Sequence, residues 1–93
     1  MAATTAKVVR FEGYVQGVGF RYTTYSMARE YSVTGYVMNL PDGAVELYIE
    51  GSPQQVDMFI QSVKEEFSRY IQKTSVEELS PAGKYTRFIV RYN

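Results

Sequence analysis

The chain has 93 residues, and its ten basic and ten acidic side chains cancel, so one small domain is expected, with no long-range pull toward nucleic acid or an anionic membrane. It contains no cysteine and no histidine, which removes disulfides, thiolate nucleophiles, imidazole bases and the sulfur and imidazole ligands of metals. Any catalysis must run on carboxylates, amides, hydroxyls, lysine and arginine. No metal or other cofactor is expected. There is also no apolar run of about 18 residues to span a membrane, and the lack of disulfides fits the cytoplasm.

The opening MAATTAKVVR has no charged segment followed by an apolar one, so no secretory signal is expected. Residues 1–6 read as a short flexible tail ahead of one domain over 7–93. From Lys7 to Val15 the chain alternates, with Val9, Phe11 and Val15 on one side and Arg10, Glu12 and Tyr14 on the other, the period of a strand. Beyond Phe20 the spacing changes to three and four, through Thr24, Met27, Ala28 and Tyr31, which predicts a helix. TGYVMNL and AVELYIE then read as two strands around the turn Pro41–Gly43.

The clearest helix follows Gly51. Ser52 suits the cap, Pro53 the first helical position, and Gln55 completes a capping box. Val56, Phe59, Ile60, Val63 and Phe67 form one apolar stripe behind it. TSVEELS reads as a weak strand and YTRFIVRY as a stronger one, with Phe88, Val90 and Tyr92 on one face. The order is βαββαβ with an extra strand last. That predicts an α+β, ferredoxin-like split βαβ sandwich: an antiparallel sheet with two helices on one face. The fold alone says little about activity.

Between the first strand and the first helix lies VQGVGF, Val15 to Phe20. Gly17 and Gly19 free the backbone to turn successive N–H groups inward as an anion-binding nest. The helix start adds unpaired N–H groups and the positive end of its dipole. Arg21 falls in the first turn, where a cation has the wrong sign for that dipole. Its planar fork suits two oxygens of a phosphate or carboxylate. A local choice that breaks a rule in this way points to a functional site. The bland alternative is a tight turn followed by a solvated arginine.

The segment GYVQGVGFRYTTYSMAREYSVTGYVMNLPDGAVELYIEG resembles the acylphosphatase signature, with its G-x-V-Q-G-V-x-F-R core and the later pieces GYVMN and DGAVE. RFIVRY is similar to the family's last strand, so the resemblance runs from about Lys7 to Tyr92. It implies hydrolysis of acyl phosphates to a carboxylic acid and inorganic phosphate, on the split βαβ sandwich. It implies that Val15, Gln16, Gly17, Val18, Gly19 and Phe20 form the phosphate-cradling loop, that Arg21 is the phosphate-binding arginine, and that Asn39 is the second catalytic residue. On its own, Asn39 before PDG would pass for a turn former. Ser32 stands where many members have glycine, a position that often takes the left-handed conformation at about 1 kcal/mol for another residue. Leu40 replaces a hydroxyl residue found in some members, and Tyr14 stands at a variable position beside the loop.

This chemistry tolerates the missing side chains. An acyl phosphate releases a carboxylate whose conjugate acid has a pKa of about 4, so no general acid is needed. Phosphoryl transfer asks mainly for positioning and charge stabilisation. The expected partners are a small-molecule acyl phosphate and the phosphate it yields; no nucleic acid or membrane partner is expected, and the chain is expected to be a monomer. A rival reading keeps the site as a non-catalytic phosphate or acyl-phosphate binding domain. RNA recognition is disfavoured, because Val18 takes the place of a stacking aromatic and the segment leads into a helix rather than lying mid-strand.

Overall fold

The computed structural model describes residues 4–92. In chain order the elements are β1 (Thr5–Gly13), α1 (Phe20–Met27) with a short 3-10 turn at Ala28–Glu30, β2 (Val33–Asn39), β3 (Val45–Gly51), α2 (Pro53–Glu66), β4 (Ile71–Leu79) and β5 (Phe88–Val90). The strands form one sheet in the order β4-β1-β3-β2-β5. This is the expected split βαβ plan, with the fifth strand at the edge beside β2.

Alternation decides which face each strand residue takes. Val9 and Phe11 of β1, Val33 and Val37 of β2, and Val45, Leu47 and Ile49 of β3 point to the helical side, where Val56, Phe59, Ile60 and Val63 of α2 cover them in one core. Aromatic contacts tie the layers together. Phe20, the first residue of α1, stacks on Phe67 at 4.1 Å between ring centroids and tilts against Phe11 at 5.2 Å. The opposite face carries a packed trio, Tyr36, Tyr48 and Tyr85. Burial, and then its hydrogen bond to Glu46, keeps the Tyr36 phenol protonated well above the ordinary tyrosine range.

Several boundaries differ from the sequence expectation. β1 begins at Thr5, so Thr5 and Ala6 belong to the sheet, paired with Gly51 and Glu50, rather than to a tail. Ala6 is fully buried. Of the rest of the expected tail, Thr4 is exposed and outside the strand, and residues 1–3 lie outside the described residues. β4 is the longer of the last two strands although its sequence is the more polar. It is held by main-chain pairing to β1 from Ala6 to Gly13, which needs no apolar alternation. β5 is shorter than expected and pairs parallel with β2. At α2, Ser52 Oγ accepts the Gln55 N–H at 3.3 Å, but the Gln55 side chain turns outward and accepts the Ser32 N–H at 3.0 Å. Ser32 carries no left-handed strain: every described residue with positive φ is a glycine.

One consequence of the pairing places the site. β1 and β2 each run antiparallel to β3, so they run parallel to one another, and β5 runs parallel to β2. The carboxyl ends of β1, β2 and β5 therefore meet at the same end of the sheet.

Candidate active site

β1 ends in an irregularity at Glu12 and Gly13, and the Tyr14 N–H donates to Tyr70 O at 3.0 Å. Val15 is then fully buried and pins the start of the loop. Gly17 and Gly19 follow with φ of 80° and 77°. An added Cβ at Gly17 would meet nothing within 4 Å, so it is the left-handed backbone, not space, that favours glycine there. Gly19 is the N-cap of α1, and its carbonyl takes the first helical bond, from Thr23 N at 3.0 Å. Helix geometry leaves the N–H groups of Phe20, Arg21 and Tyr22 without a partner one turn back. No acidic residue sits in this first turn; Arg21 does.

Around this helix start is a hollow of about 190 Å³. The loop contributes Val15, Gly17, Gly19 and Phe20, and the first turn of α1 contributes Arg21 and Tyr22. Asn39, the last residue of β2, faces the same space, as do Val90, the last residue of β5, and Tyr92 two residues beyond it. Arg21 is half-buried, with its guanidinium carbon 5.0 Å from the centre of the Tyr92 ring. Stacking on an aromatic face holds the flat fork while leaving its edge N–H groups open to an anion. Among the described residues no carboxylate forms an ion pair with it.

The expected residues thus divide. Arg21, Asn39, Val15, Gly17, Gly19 and Phe20 border one hollow. Val18 is exposed and does not border it. The Gln16 side chain leaves it and donates to Leu40 O and Ala44 O, each at 2.8 Å. Tyr14 faces a different surface groove, beside Arg10, Asp42 and Gln72. Tyr22 is an addition from the first helical turn, and Val90 and Tyr92 are additions from the other end of the chain. The sequence offers the latter two only as residues of a last strand, and nothing in the alternation of YTRFIVRY says that this strand runs parallel to β2.

The β2–β3 turn that follows Asn39 is internally closed. Leu40 N donates to Ala44 O at 2.8 Å and Gly43 N to Leu40 O at 3.1 Å, while Asp42 Oδ1 accepts the Ala44 N–H at 3.1 Å. Arg10 reaches the same carboxylate from β1. The guanidinium, and then the Ala44 N–H, hold the Asp42 carboxyl below its ordinary range. Among the described residues no three or more acidic side chains gather as a metal site, and no helix is long and apolar enough to cross a membrane.

Known proteins match this arrangement along its length. The acylphosphatase family model matches residues 7–90. A protein of Thermotoga maritima named acylphosphatase is 42% identical over 85 residues, covering 90% of this chain and 93% of its own. One of Lactobacillus gasseri, also so named, is 38% identical across 99% of this chain and all of its own. The crystal structure of acylphosphatase from Bacillus subtilis superposes with a TM-score of 0.84 at 33% identity, covering 97% of this chain and 100% of that one. The chain belongs to the acylphosphatase family.

Proposed function

We propose that the hollow binds the phosphate end of an acyl phosphate and that its carboxyl–phosphate bond is hydrolysed there, giving a carboxylate and inorganic phosphate. Hydrolysis of acyl phosphates is what membership of the family carries; the roles within the hollow are our assignment. The observation behind them is that Arg21, at the start of α1, and Asn39, at the end of β2, border the same space.

The phosphate oxygens sit against the main-chain N–H groups of the loop and of the first helical turn, and the Arg21 fork takes two of them. These fixed donors face the charge as it spreads over the phosphoryl oxygens, with nothing to reorganise at the moment of reaction. The Asn39 side-chain carbonyl accepts a hydrogen bond from a water and aims its oxygen at phosphorus, opposite the leaving group. The water oxygen bonds to phosphorus as the bond to the carboxylate oxygen breaks. A neutral amide cannot take the proton, so it passes to a phosphoryl oxygen. The departing carboxylate is stable as the anion and needs no acid.

Beyond the phosphate, the acyl group meets Val90 and the two rings of Tyr22 and Tyr92. Steady-state hydrolysis of benzoyl phosphate, with a chelator present and no metal added, tests the reading. Turnover inhibited competitively by inorganic phosphate is expected. Phosphate binding without turnover would instead mark a binding domain.

A further inference from the structure

We propose that Gln16 is a positioning residue, a strut that sets Asn39 at its working distance from the phosphate loop. The inference rests on the hydrolytic reading above. The sheet order is β1-β3-β2 in the centre, so the loop leaving β1 and Asn39 at the end of β2 are separated by a whole strand, two spacings or about 9.6 Å in the ladder direction. No ladder bond joins them directly. The register from β2 to β3 ends at Asn39 with Val45, which secures the hairpin to itself but not to the loop.

Gln16 crosses that gap. Its Nε2 donates to Leu40 O and to Ala44 O, each at 2.8 Å, over 24 and 28 residues of sequence. Both carbonyls already accept a main-chain bond, from Gly43 N and Leu40 N respectively, so the side-chain amide fills a second lone pair on each. A primary amide is the neutral group with two hydrogens on one planar nitrogen, which is what two carbonyls on either side of a turn require. The Asn39–Leu40 peptide is tied to the same amide through its N–H, which donates to Ala44 O, one of the two carbonyls that Gln16 holds. The other tie between β1 and this turn, Arg10 to Asp42, involves exposed side chains and is worth correspondingly little in water.

Two variants test the strut, assayed beside the wild type with benzoyl phosphate as substrate and inorganic phosphate as inhibitor. Gln16→Met keeps the length and removes the donors; kcat is expected to fall about tenfold or more, with the inhibition constant for phosphate changed less than about threefold. Gln16→Glu supplies its own control. At about pH 8 its carboxylate opposes two carbonyl oxygens, whereas near pH 5 the protonated fraction regains one O–H donor. The ratio of its kcat to that of wild type at the same pH is expected to rise severalfold on acidification. That comparison does not involve Gln16→Met, so it stands even if Gln16→Met folds poorly. A Gln16→Met kcat within about twofold of wild type, a joint loss of kcat and phosphate affinity, a pH-independent ratio for Gln16→Glu, or failure of both variants to fold at any pH would each overturn the positioning role. Absence of turnover by the wild type would instead overturn the hydrolytic reading.

Discussion

At the scale of single residues, Arg21 and Asn39 are expected to fail in different ways. Arg21→Lys keeps the charge but loses the planar fork and its stacking on Tyr92, which lies 5.0 Å away. Substrate and product phosphate should weaken together, by about tenfold or more, as read from KM and from phosphate inhibition. Near-normal constants would remove Arg21 from phosphate binding. Asn39→Ala should instead lower kcat by about a hundredfold while phosphate inhibition persists, because water is positioned only for the chemical step; loss of phosphate inhibition along with kcat would count against it. Arg21 was legible in the sequence because it stands where the helix dipole repels it. Asn39 was not: an asparagine before PDG is chemically ordinary, and only the family resemblance singled it out. Gln16 was legible as a loop member but not as a strut, since its partners lie 24 and 28 residues away.

Among the elements, α2 was the most readable, because Ser52, Pro53 and the apolar stripe state its start and its buried face independently. The two last strands were read in the wrong proportion. β4 carries few apolar residues yet pairs along its length with β1. β5 is apolar but spans only Phe88–Val90. Burial patterns report side chains, and strand length here is set by main-chain partners. The same limit hid Gly35 in β2, which looks like an interruption of a strand. Its φ is 137°, and a Cβ there would stand 1.9 Å from Tyr48 O on the neighbouring strand. Gly35→Ala is therefore expected to destabilise the fold by about 2 kcal/mol or more. The urea midpoint measures this, and a midpoint equal to wild type would mean that β2 and β3 can separate locally at no cost.

For the molecule as a whole, the core and the site share the side chains of Val15 and Phe20. Phe20 closes the loop, opens α1, stacks on Phe67 and tilts against Phe11. Phe67→Ala should remove about 3–4 kcal/mol of stability, a large part of the 5–15 kcal/mol typical of a small domain. In protein that is still folded at low temperature, it should also weaken phosphate inhibition, since Phe20 loses the ring it stacks on. A stability loss with phosphate affinity unchanged would show that the loop does not depend on the core behind it. The split βαβ plan itself was legible, because the switch between periods of two and of three to four recurs in the right order. The convergence of three strand ends was not, because it depends on the direction of β5.

That direction divides labour within the pocket. In the proposed reading the phosphate end is served by the loop after β1 and by the end of β2, while β5 and the residues just past it bring Val90 and Tyr92. β5 is bonded to the sheet along one edge, so a change in its register remakes main-chain bonds with β2 alone, while Phe88 must give up its place against Phe59. A slide of two residues would carry its side chains about 7 Å along the sheet. Such a lineage could exchange one preferred carboxylic acid for another while inheriting its hydrolytic machinery intact.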